Sequence, residues 1–312
     1  MPSDSTAVID NPLAGPAFER LYETDIKALL EHREVERKTA MQIFRSIIGA
    51  GIAILVLESG LTFQLSHGAG FMPDIRLVLA TIVLTGFIAM LPLNQVGGKA
   101  KRGVIDALCA PLGLTYQTDC EEAPAFKTFK ALRLVEKPEN VFFQDHFAGT
   151  RSGCAFEMCE ARLTRGSGKE RRVVFYGQLM RIAFPRRFLG TTVVLRESGW
   201  FNRFECPPHL AKVGLEDPHF EKIFEVFGDD QVEARAILTP SFMQQLIDLE
   251  QAFSGSHIRG AFVDGDLLIA FEAPNRFEIG SMFTTLVDRK RVETIAHDIG
   301  AVFRLIDSVI PA

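Results

Sequence analysis

Two long apolar stretches stand close together in the first third of the chain. The first, IFRSIIGAGIAILVLESGLTF, covers residues 43–63, and Arg45 and Glu58 are its only charged residues. The second, LVLATIVLTGFIAMLPLNQVGG, covers residues 77–98 and has no charged residue. A helix of this length spans about 30 Å, the thickness of the hydrocarbon core of a bilayer. The pattern therefore predicts a transmembrane hairpin, since a core helix rarely stays apolar on every face.

The predicted hairpin covers residues 41–98, with spans at about 41–60 and 76–96. Lys and Arg residues flank it on both outer sides, and the connecting stretch 59–74 contains neither. Basic residues favour the cytoplasmic side of a membrane. Both termini and the main domain are therefore expected in the cytoplasm. The flanking basic residues are Arg33, Arg37, Lys38, Lys99, Lys101 and Arg102.

Glu58 is the one acidic residue of the first apolar stretch. Near the far interface a carboxylate costs much less than at the bilayer centre. Because intramembrane carboxylates often serve ion or proton pathways, Glu58 is a candidate functional residue.

The spacing of apolar and polar residues before the hairpin differs from the spacing after it. Residues 1–40 predict a loose tail and a cytoplasmic helix that begins near Phe18. Residues 99–312 predict a soluble α+β domain with a mostly antiparallel sheet, because strands and helices come in runs without regular alternation. Helices are expected at 102–110, at 229–238, from Pro240 with Thr239 as its cap, and at 288–310 as an amphipathic C-terminal helix. Strands are expected at 152–165, 171–184, 191–198 and 220–228, and as a hairpin around Asp264-Gly265 at 257–273; the stretch after Pro111 reads as a connector.

Composition narrows the functional classes. Hydrophobic residues make up 47% of the 312 residues and charged residues 23%, which excludes intrinsic disorder. The net charge of −5 and the lack of a large basic patch argue against nucleic acid as a partner. The five cysteines are odd in number, show no disulfide framework and all follow the second span, which agrees with a cytoplasmic body.

Sequence motifs predict no catalytic, cofactor or metal site. The segment GGKAKRG at 97–103 lacks the first glycine and the Ser or Thr of a phosphate-binding loop. Cys154 and Cys159 are five residues apart, so a strand places them on opposite faces. The seven histidines form no metal-binding pair.

Two sets of charged residues are candidate binding sites. Arg186 and Arg187 lie in a predicted loop, where they would contact an anion or partner, or else form salt bridges or face lipid head groups. The acidic segment at 216–233 would bind a cation or perform acid–base chemistry. Alternatively its residues stabilise the fold, with Asp230 and Glu233 arranged as a helix cap. Its candidate residues are Glu216, Asp217, Asp229, Asp230 and Glu233.

The stretch DPHFEKIFEVFGDDQVEARAILTPSFMQQL at 217–246 resembles an uncharacterised bacterial family classed as domain of unknown function 3137. The stretches HFAGTRSGCAFEMCEARL, FYGQLMRIAFPRRFLGTTVVL and IRGAFVDGDLLIAF fit the same pattern, so the resemblance covers roughly residues 18–310. It implies an N-terminal helix, two membrane spans, a soluble α+β domain and a bacterial inner-membrane location. It implies no activity, cofactor or catalytic residue.

Together these observations predict a membrane-anchored cytoplasmic binding or scaffold protein. Its expected partners are the lipid bilayer, another membrane or cytoplasmic protein, and further copies of itself. Two alternatives stand beside it. One is an unrecognised enzyme that acts on a phosphorylated or membrane-associated substrate through Arg186, Arg187 and the acidic segment. The other is a small oligomeric transport or channel subunit that uses Glu58.

Overall fold

A computed structural model describes residues 13–65, 75–196, 207, 209–252, 257–273 and 276–310. The tip of the predicted external loop, residues 66–74, lies outside this set, as do the tail 1–12 and part of the irregular segment near 200. The residues group into two compact units. Of the described residues, those within 15–107 and 278–294 form the helical unit, and 13–14 with those within 108–277 and 295–310 form the sheet unit.

Long helices build the helical unit. A helix begins at α1 Gly15–Leu21, passes through one π-helical turn at Tyr22–Ile26 and continues as α2 Lys27–Leu65. The predicted N-terminal helix therefore runs without a break into the first apolar stretch, and α3 Ile75–Cys109 contains the second. In each helix only 11% of the most apolar 18-residue window is buried. Length and composition allow both helices to cross a membrane, which by itself is weak evidence of membrane association.

The separate helix predicted at 102–110 is wrong, because α3 continues through Pro92 to Cys109. Proline removes one backbone hydrogen bond from a helix, and packing on either side can compensate. Ala89 and Leu93, which flank Pro92, are fully buried and lie on one face of α3 at a spacing of four residues. Packing on both sides of Pro92 thus keeps the helix continuous.

The sheet unit contains a sheet in which the structure describes nine strands in the order β1-β2-β3-β4-β9-β8-β5-β7-β6. Every described pairing is antiparallel. This confirms the predicted α+β class and the antiparallel sheet. The strands are β1 Thr115–Asp119, β2 Asn140–Arg151, β3 Cys154–Arg165, β4 Arg172–Ala183, β5 Thr192–Arg196, β6 Ala211–Lys212, β7 Phe224–Gly228, β8 Arg259–Val263 and β9 Asp266–Phe271. The helices are α4 Phe126–Ala131, α5 Gln231–Ile237, α6 Pro240–Ala252 and α7 Arg289–Val309.

The connector predicted after Pro111 is wrong, because it contains β1, α4 and the 12-residue strand β2. In β2, Asp145 and His146 together lie opposite Cys159, which is a β-bulge. Phe143 packs into the core on one side of the sheet, whereas Phe147 contacts Phe277 on the other. The bulge breaks the alternation of apolar and polar positions by which a strand is recognised.

Both faces of the sheet are covered. On one face, Phe126 and Phe129 of α4 join a buried cluster with β3, β4, β8 and β9. On the other face, Phe303 of α7 packs edge-on against Phe156, and Phe242 of α6 packs against Phe262. The predicted C-terminal amphipathic helix is confirmed by α7, whose spaced apolar residues are buried.

Candidate functional site

The acidic residues predicted as a candidate site contact backbone amides. Asp230 caps α5 by accepting hydrogen bonds from Val232 N and Glu233 N, as the sequence suggests. The Glu233 carboxylate is buried and accepts a hydrogen bond from Gly190 N at 2.7 Å. Asp229 accepts one from Thr191 N at 2.7 Å. Three of the five candidate carboxylates therefore position the start of α5 or the loop before β5.

The remaining acidic residues lie before β7. Asp217 accepts hydrogen bonds from His219 N at 2.8 Å and Phe220 N at 3.1 Å, and Glu216 is exposed. The strand predicted at 220–228 begins at Phe224, because Phe220–Lys222 forms a 3-10 turn. Glu221 therefore lies in this turn, where it accepts a hydrogen bond from Leu215 N. This part of the acidic segment also stabilises backbone geometry.

Arg186 and Arg187 lie exposed in the loop between β4 and β5. The Arg186 guanidinium stands 5.6 Å from the centre of the buried Phe188 ring. Leu189, the next residue, is 89% exposed. Glu233 and Asp229 hold the backbone at the end of this loop, and the loop presents two cations and one apolar side chain to solvent.

Glu58 contacts the second long helix. Thr81 donates its hydroxyl proton to one Glu58 carboxylate oxygen at 3.0 Å. The other oxygen is buried and has no partner within the described part of the chain. The helices also approach closely at Gly51, about two turns before Glu58, since a Cβ added there would stand 2.3 Å from the Thr85 methyl group. The carboxylate thus lies at a close helix–helix contact.

A groove on the sheet unit is a candidate that the sequence reasoning missed. It has a volume of about 450 Å³, within the range of ligand pockets. Strands β2, β3 and β4 supply most of its lining, and we call it the β2–β4 groove. The lining residues are Asn140, Val141, Phe142, Arg162, Thr164, Arg171 and Val173.

Strand register explains why these side chains meet. Phe142 pairs with Arg162, and Arg162 pairs with Tyr176, so the three form a row across the strands on one face. In β4 a register shift leaves Val174 as an extra residue and places Val173 opposite Thr164. Bulges of this kind redirect side chains and are frequent beside functional sites.

The groove combines apolar surface with positive charge. Phe142 is 58% exposed, so it presents a large apolar side chain to the groove. Arg162 lies 5.5 Å from the Tyr176 ring centre, and Arg171 Nε donates to Thr164 Oγ1 at 3.3 Å. None of the described residues that line the groove is acidic.

Carboxylates close to the β2–β4 groove bind other groups of the protein. Glu139 accepts a hydrogen bond from Gly166 N, and Glu136 forms an ion pair with Arg172. Glu160, in the next row of the same face, is fully buried and accepts hydrogen bonds from the Gln144 and Gln178 amides at 2.6 and 3.1 Å. An anionic group beside an apolar one is therefore the chemistry that the groove fits.

The described residues contain no group of three His, Cys, Asp or Glu side chains that could hold a metal ion. These features together define an α+β protein with an antiparallel sheet, two long apolar helices, and a cationic and apolar groove in its sheet unit.

The sequence comparison finds a family model that matches the C-terminal part of the chain. Residues 173–310 match the model of a family described as protein of unknown function (DUF3137). The family predicted from the sequence is thus confirmed over these residues. No curated protein sequence matches the chain.

One solved structure with a detected likeness is that of the mycobacterial trehalose monomycolate transport factor A. The two share 12% identity, the match covers 68% of this chain and 96% of the other, and the TM-score is 0.35. At this TM-score the likeness is too weak to support a common function.

Proposed function

We propose that this protein is a membrane-anchored binding protein of the bacterial inner membrane. In this proposal residues 41–98 form a two-span hairpin, residues 1–40 and the domain 99–312 lie in the cytoplasm, and the domain binds a partner protein. The β2–β4 groove receives an acidic, partly apolar segment of that partner. The observation that supports this proposal most is the exposure of the two apolar helices. Only 11% of the most apolar 18-residue window is buried in each.

Exposure distinguishes a membrane helix from the core helix of a soluble protein, which packs most of its apolar surface inside the fold. In α2, Leu57 is 71% exposed, and in α3, Val83 is 69% exposed. Large contiguous apolar surface in contact with water is unfavourable at about 25 cal/mol per Å². A bilayer removes this cost, and the basic residues on the outer sides orient the hairpin.

The groove supports the binding role through charge and shape. Arginine is favoured at interfaces because its guanidinium grips carboxylates with two hydrogen bonds. Arg162 and Arg171 line the same groove as Phe142, and aromatic residues and arginine are both enriched at protein interfaces. An acidic segment with an aliphatic or aromatic side chain would satisfy both features.

Membrane insertion and topology can be tested together with an impermeant maleimide. The described thiols other than the half-buried Cys120 are buried, so Cys120 is the natural reporter for the domain. A Ser66→Cys substitution reports on the predicted external loop. We expect carbonate-resistant membrane association, labelling of Ser66→Cys in intact spheroplasts, and labelling of Cys120 only after lysis. Release by carbonate would refute anchoring, and labelling of Cys120 in intact cells would refute the orientation.

Partner binding can be tested by affinity purification of the full-length protein from mild-detergent extract. The groove variant is Arg162→Glu with Arg171→Glu. The matched control is Arg165→Glu with Arg172→Glu, which changes the charge equally on neighbouring exposed arginines outside the groove lining. We expect a stoichiometric partner with the wild type and the control, and at least a tenfold loss with the groove variant. Equal recovery with both variants, or a preparation without a partner, would refute the proposal.

A second candidate is a subunit of an oligomeric transporter or channel. The contact between Glu58 and Thr81 favours it, since the second carboxylate oxygen is buried without a partner among the described residues. Two helices form a pore only by association of several chains. The mass of the particle in mild detergent tests this role, and a monomer would count against it.

A further inference from the structure

The β2–β4 groove holds its charged and apolar side chains in two adjacent rows on one face of the sheet. The first row contains Phe142 opposite Arg162. The second row, two residues further along each strand, contains Asn140 opposite Thr164. The register shift in β4 places Val173 opposite Thr164, so Val173 joins the second row. Apolar, cationic and neutral polar groups therefore line one space of about 450 Å³.

Neither arginine of the groove forms an ion pair with a carboxylate in the part of the chain that the structure describes. Arg162 lies over an aromatic ring, and Arg171 donates one hydrogen bond, to the Thr164 hydroxyl. By contrast, Arg181 of β4 forms an ion pair with Asp266 at 2.7 Å. The groove therefore presents two positive charges that no described carboxylate neutralises by direct contact.

Thr164 adds a buried hydroxyl group to this lining. The residue is only 4% exposed, and its oxygen accepts the hydrogen bond from Arg171 Nε at 3.3 Å. The hydroxyl proton of Thr164 and the Nη groups of Arg171 form no hydrogen bond within the described residues, so they remain available to an acceptor in the groove. The exposed Asn140 amide supplies a further donor. Charged and neutral donors are thus grouped around one space.

A phosphate monoester matches this charge better than a carboxylate does. It carries a charge of about −1.5 to −2 at pH 7 and three acceptor oxygens, whereas a carboxylate has a single negative charge and two oxygens. One phosphate therefore balances both guanidinium groups, and one carboxylate would leave a positive charge of the groove unbalanced. The planar guanidinium fork also matches the geometry of phosphate oxygens.

We propose that the β2–β4 groove binds a phosphate monoester that lies beside an apolar group, as on a phosphorylated side chain in the segment of the partner protein. This inference rests on the binding function proposed for the domain and names the chemistry that the groove recognises. Arg162 and Arg171 bind the phosphate, and Thr164 and Asn140 donate hydrogen bonds to its oxygens. Phe142, which is 58% exposed, contacts the apolar neighbour. Phosphorylation of the partner then promotes its binding.

Small anions separate the contributions of charge and apolar surface, with the full-length protein in mild detergent. Phenyl phosphate has a ring and a phosphate, benzoate has a ring and a carboxylate, and inorganic phosphate has no ring. Proton NMR titration measures the affinity of the first two, and displacement of phenyl phosphate measures that of the third. We expect phenyl phosphate to bind about tenfold more tightly than benzoate and about three- to tenfold more tightly than inorganic phosphate. Equal affinity for phenyl phosphate and benzoate would overturn the phosphate preference, and equal affinity for the two phosphates would overturn the apolar contact.

The pH dependence of the two affinities is a second measurement. The second pKa of a phosphate monoester is about 6, whereas a carboxylate such as benzoate stays charged above about pH 5. The described lining residues include no group that titrates in this range, since arginine keeps its charge. The neighbouring carboxylates of Glu136, Glu139 and Glu160 act on both probes, so benzoate is the control. Phenyl phosphate should bind about threefold more weakly at about pH 5.5 than at about pH 8, and benzoate should not change. A ratio of affinities that does not depend on pH would contradict the proposal.

Substitutions test whether the probes bind in the groove, and the melting temperature shows that each variant is folded. Arg162→Gln with Arg171→Gln should weaken phenyl phosphate binding at least about tenfold. Arg165→Gln with Arg172→Gln removes the same charge from neighbouring exposed arginines outside the groove lining and should change the affinity by about twofold or less. Phe142→Ala should weaken phenyl phosphate binding about three- to tenfold and leave the affinity for inorganic phosphate unchanged. Equal losses with the two arginine pairs would show general attraction to a basic surface and would overturn the site.

Phosphatase treatment of the membrane extract connects the groove to the partner. We expect the wild-type protein to capture its partner from untreated extract and to lose it after phosphatase treatment. Capture that survives the phosphatase, yet fails with the Arg162→Gln/Arg171→Gln variant, would support the proposed binding function and overturn this inference. Binding of phenyl phosphate without any captured partner would refute the proposed function, while the phosphate site stands. If the variant loses an anionic phospholipid and keeps the protein partner, the inference also fails.

Discussion

A pair of charged residues in the helical unit permits a quantitative prediction of pH-dependent stability. Arg37 donates two hydrogen bonds to the Glu34 carboxylate, at 2.7 and 2.8 Å. The pair also binds a distant segment, because Leu286 N donates to Glu34 at 3.0 Å and Arg37 donates to the Met282 carbonyl oxygen at 2.9 Å. The Arg37 hydrogen bonds lower the pKa of Glu34 from 4.5 to about 2. The folded state therefore favours the charged carboxylate.

The size of this effect follows from linkage between protonation and folding. A fall from 4.5 to about 2 corresponds to an upper limit of about 3 kcal/mol. Each side chain is 12% exposed, and solvent at that edge screens the interaction, so we expect about 1–2 kcal/mol. Because the folded pKa is depressed, this stabilisation is complete above about pH 4.5 and disappears as the pH falls towards 2.

The perturbation is Glu34→Gln, which keeps an oxygen to accept from Leu286 N and removes the charge. At pH 7 the melting temperature in detergent should fall by roughly 2–8 °C. Near pH 2.5, just above the folded pKa, the difference in melting temperature should shrink to about a quarter or less of its value at pH 7. The control is Glu31→Gln, since Glu31 is exposed on the same helix. A difference that is equal at both pH values would refute the electrostatic explanation.

Four further substitutions test the sheet unit by chemical denaturation. Phe129→Ala should lower the free energy of unfolding by about 3–5 kcal/mol, because Phe129 is fully buried. Phe142→Ala should lower it by about 1 kcal/mol or less, because that side chain is 58% exposed. Similar losses for the two variants would contradict the described core. Asp230→Ala removes the cap of α5 and should lower the free energy of unfolding by about 0.5–2 kcal/mol. An unchanged denaturation midpoint would show that the cap is dispensable. Gly177→Ala should lower the free energy of unfolding by about 1–3 kcal/mol or more, because the added Cβ would lie 2.1 Å from the Phe271 carbonyl oxygen. A variant as stable as the wild type would contradict this close approach.

Local signals allowed parts of the fold to be predicted. Thr239 accepts a hydrogen bond from Phe242 N at the start of α6, as its position before Pro240 indicates. Asp264 and Gly265 adopt the positive φ angles of a tight hairpin turn between β8 and β9. Both features depend on contacts within a few residues, so the sequence carries them directly.

The candidate site was less predictable, because its residues meet through strand register. No motif singles out Arg162 and Arg171, and the sequence pattern over β2, which supplies Phe142, predicts a connector. Glu233 fits a helix cap in sequence, yet its carboxylate binds Gly190 N from a loop 43 residues away. The proximity of such groups depends on sheet order, which local patterns do not encode.

The sequence by itself determined the two apolar helices, the amphipathic helix α7, the helix caps and the β8–β9 turn, because each follows from side-chain chemistry repeated at the spacing of its own element. The tertiary structure alone decided the bulge in β2 and the β2–β4 groove. Antiparallel pairing places residues side by side according to register, and a single extra residue in one strand changes which side chains share a face. The chemistry proposed for this protein therefore lies where distant strands meet.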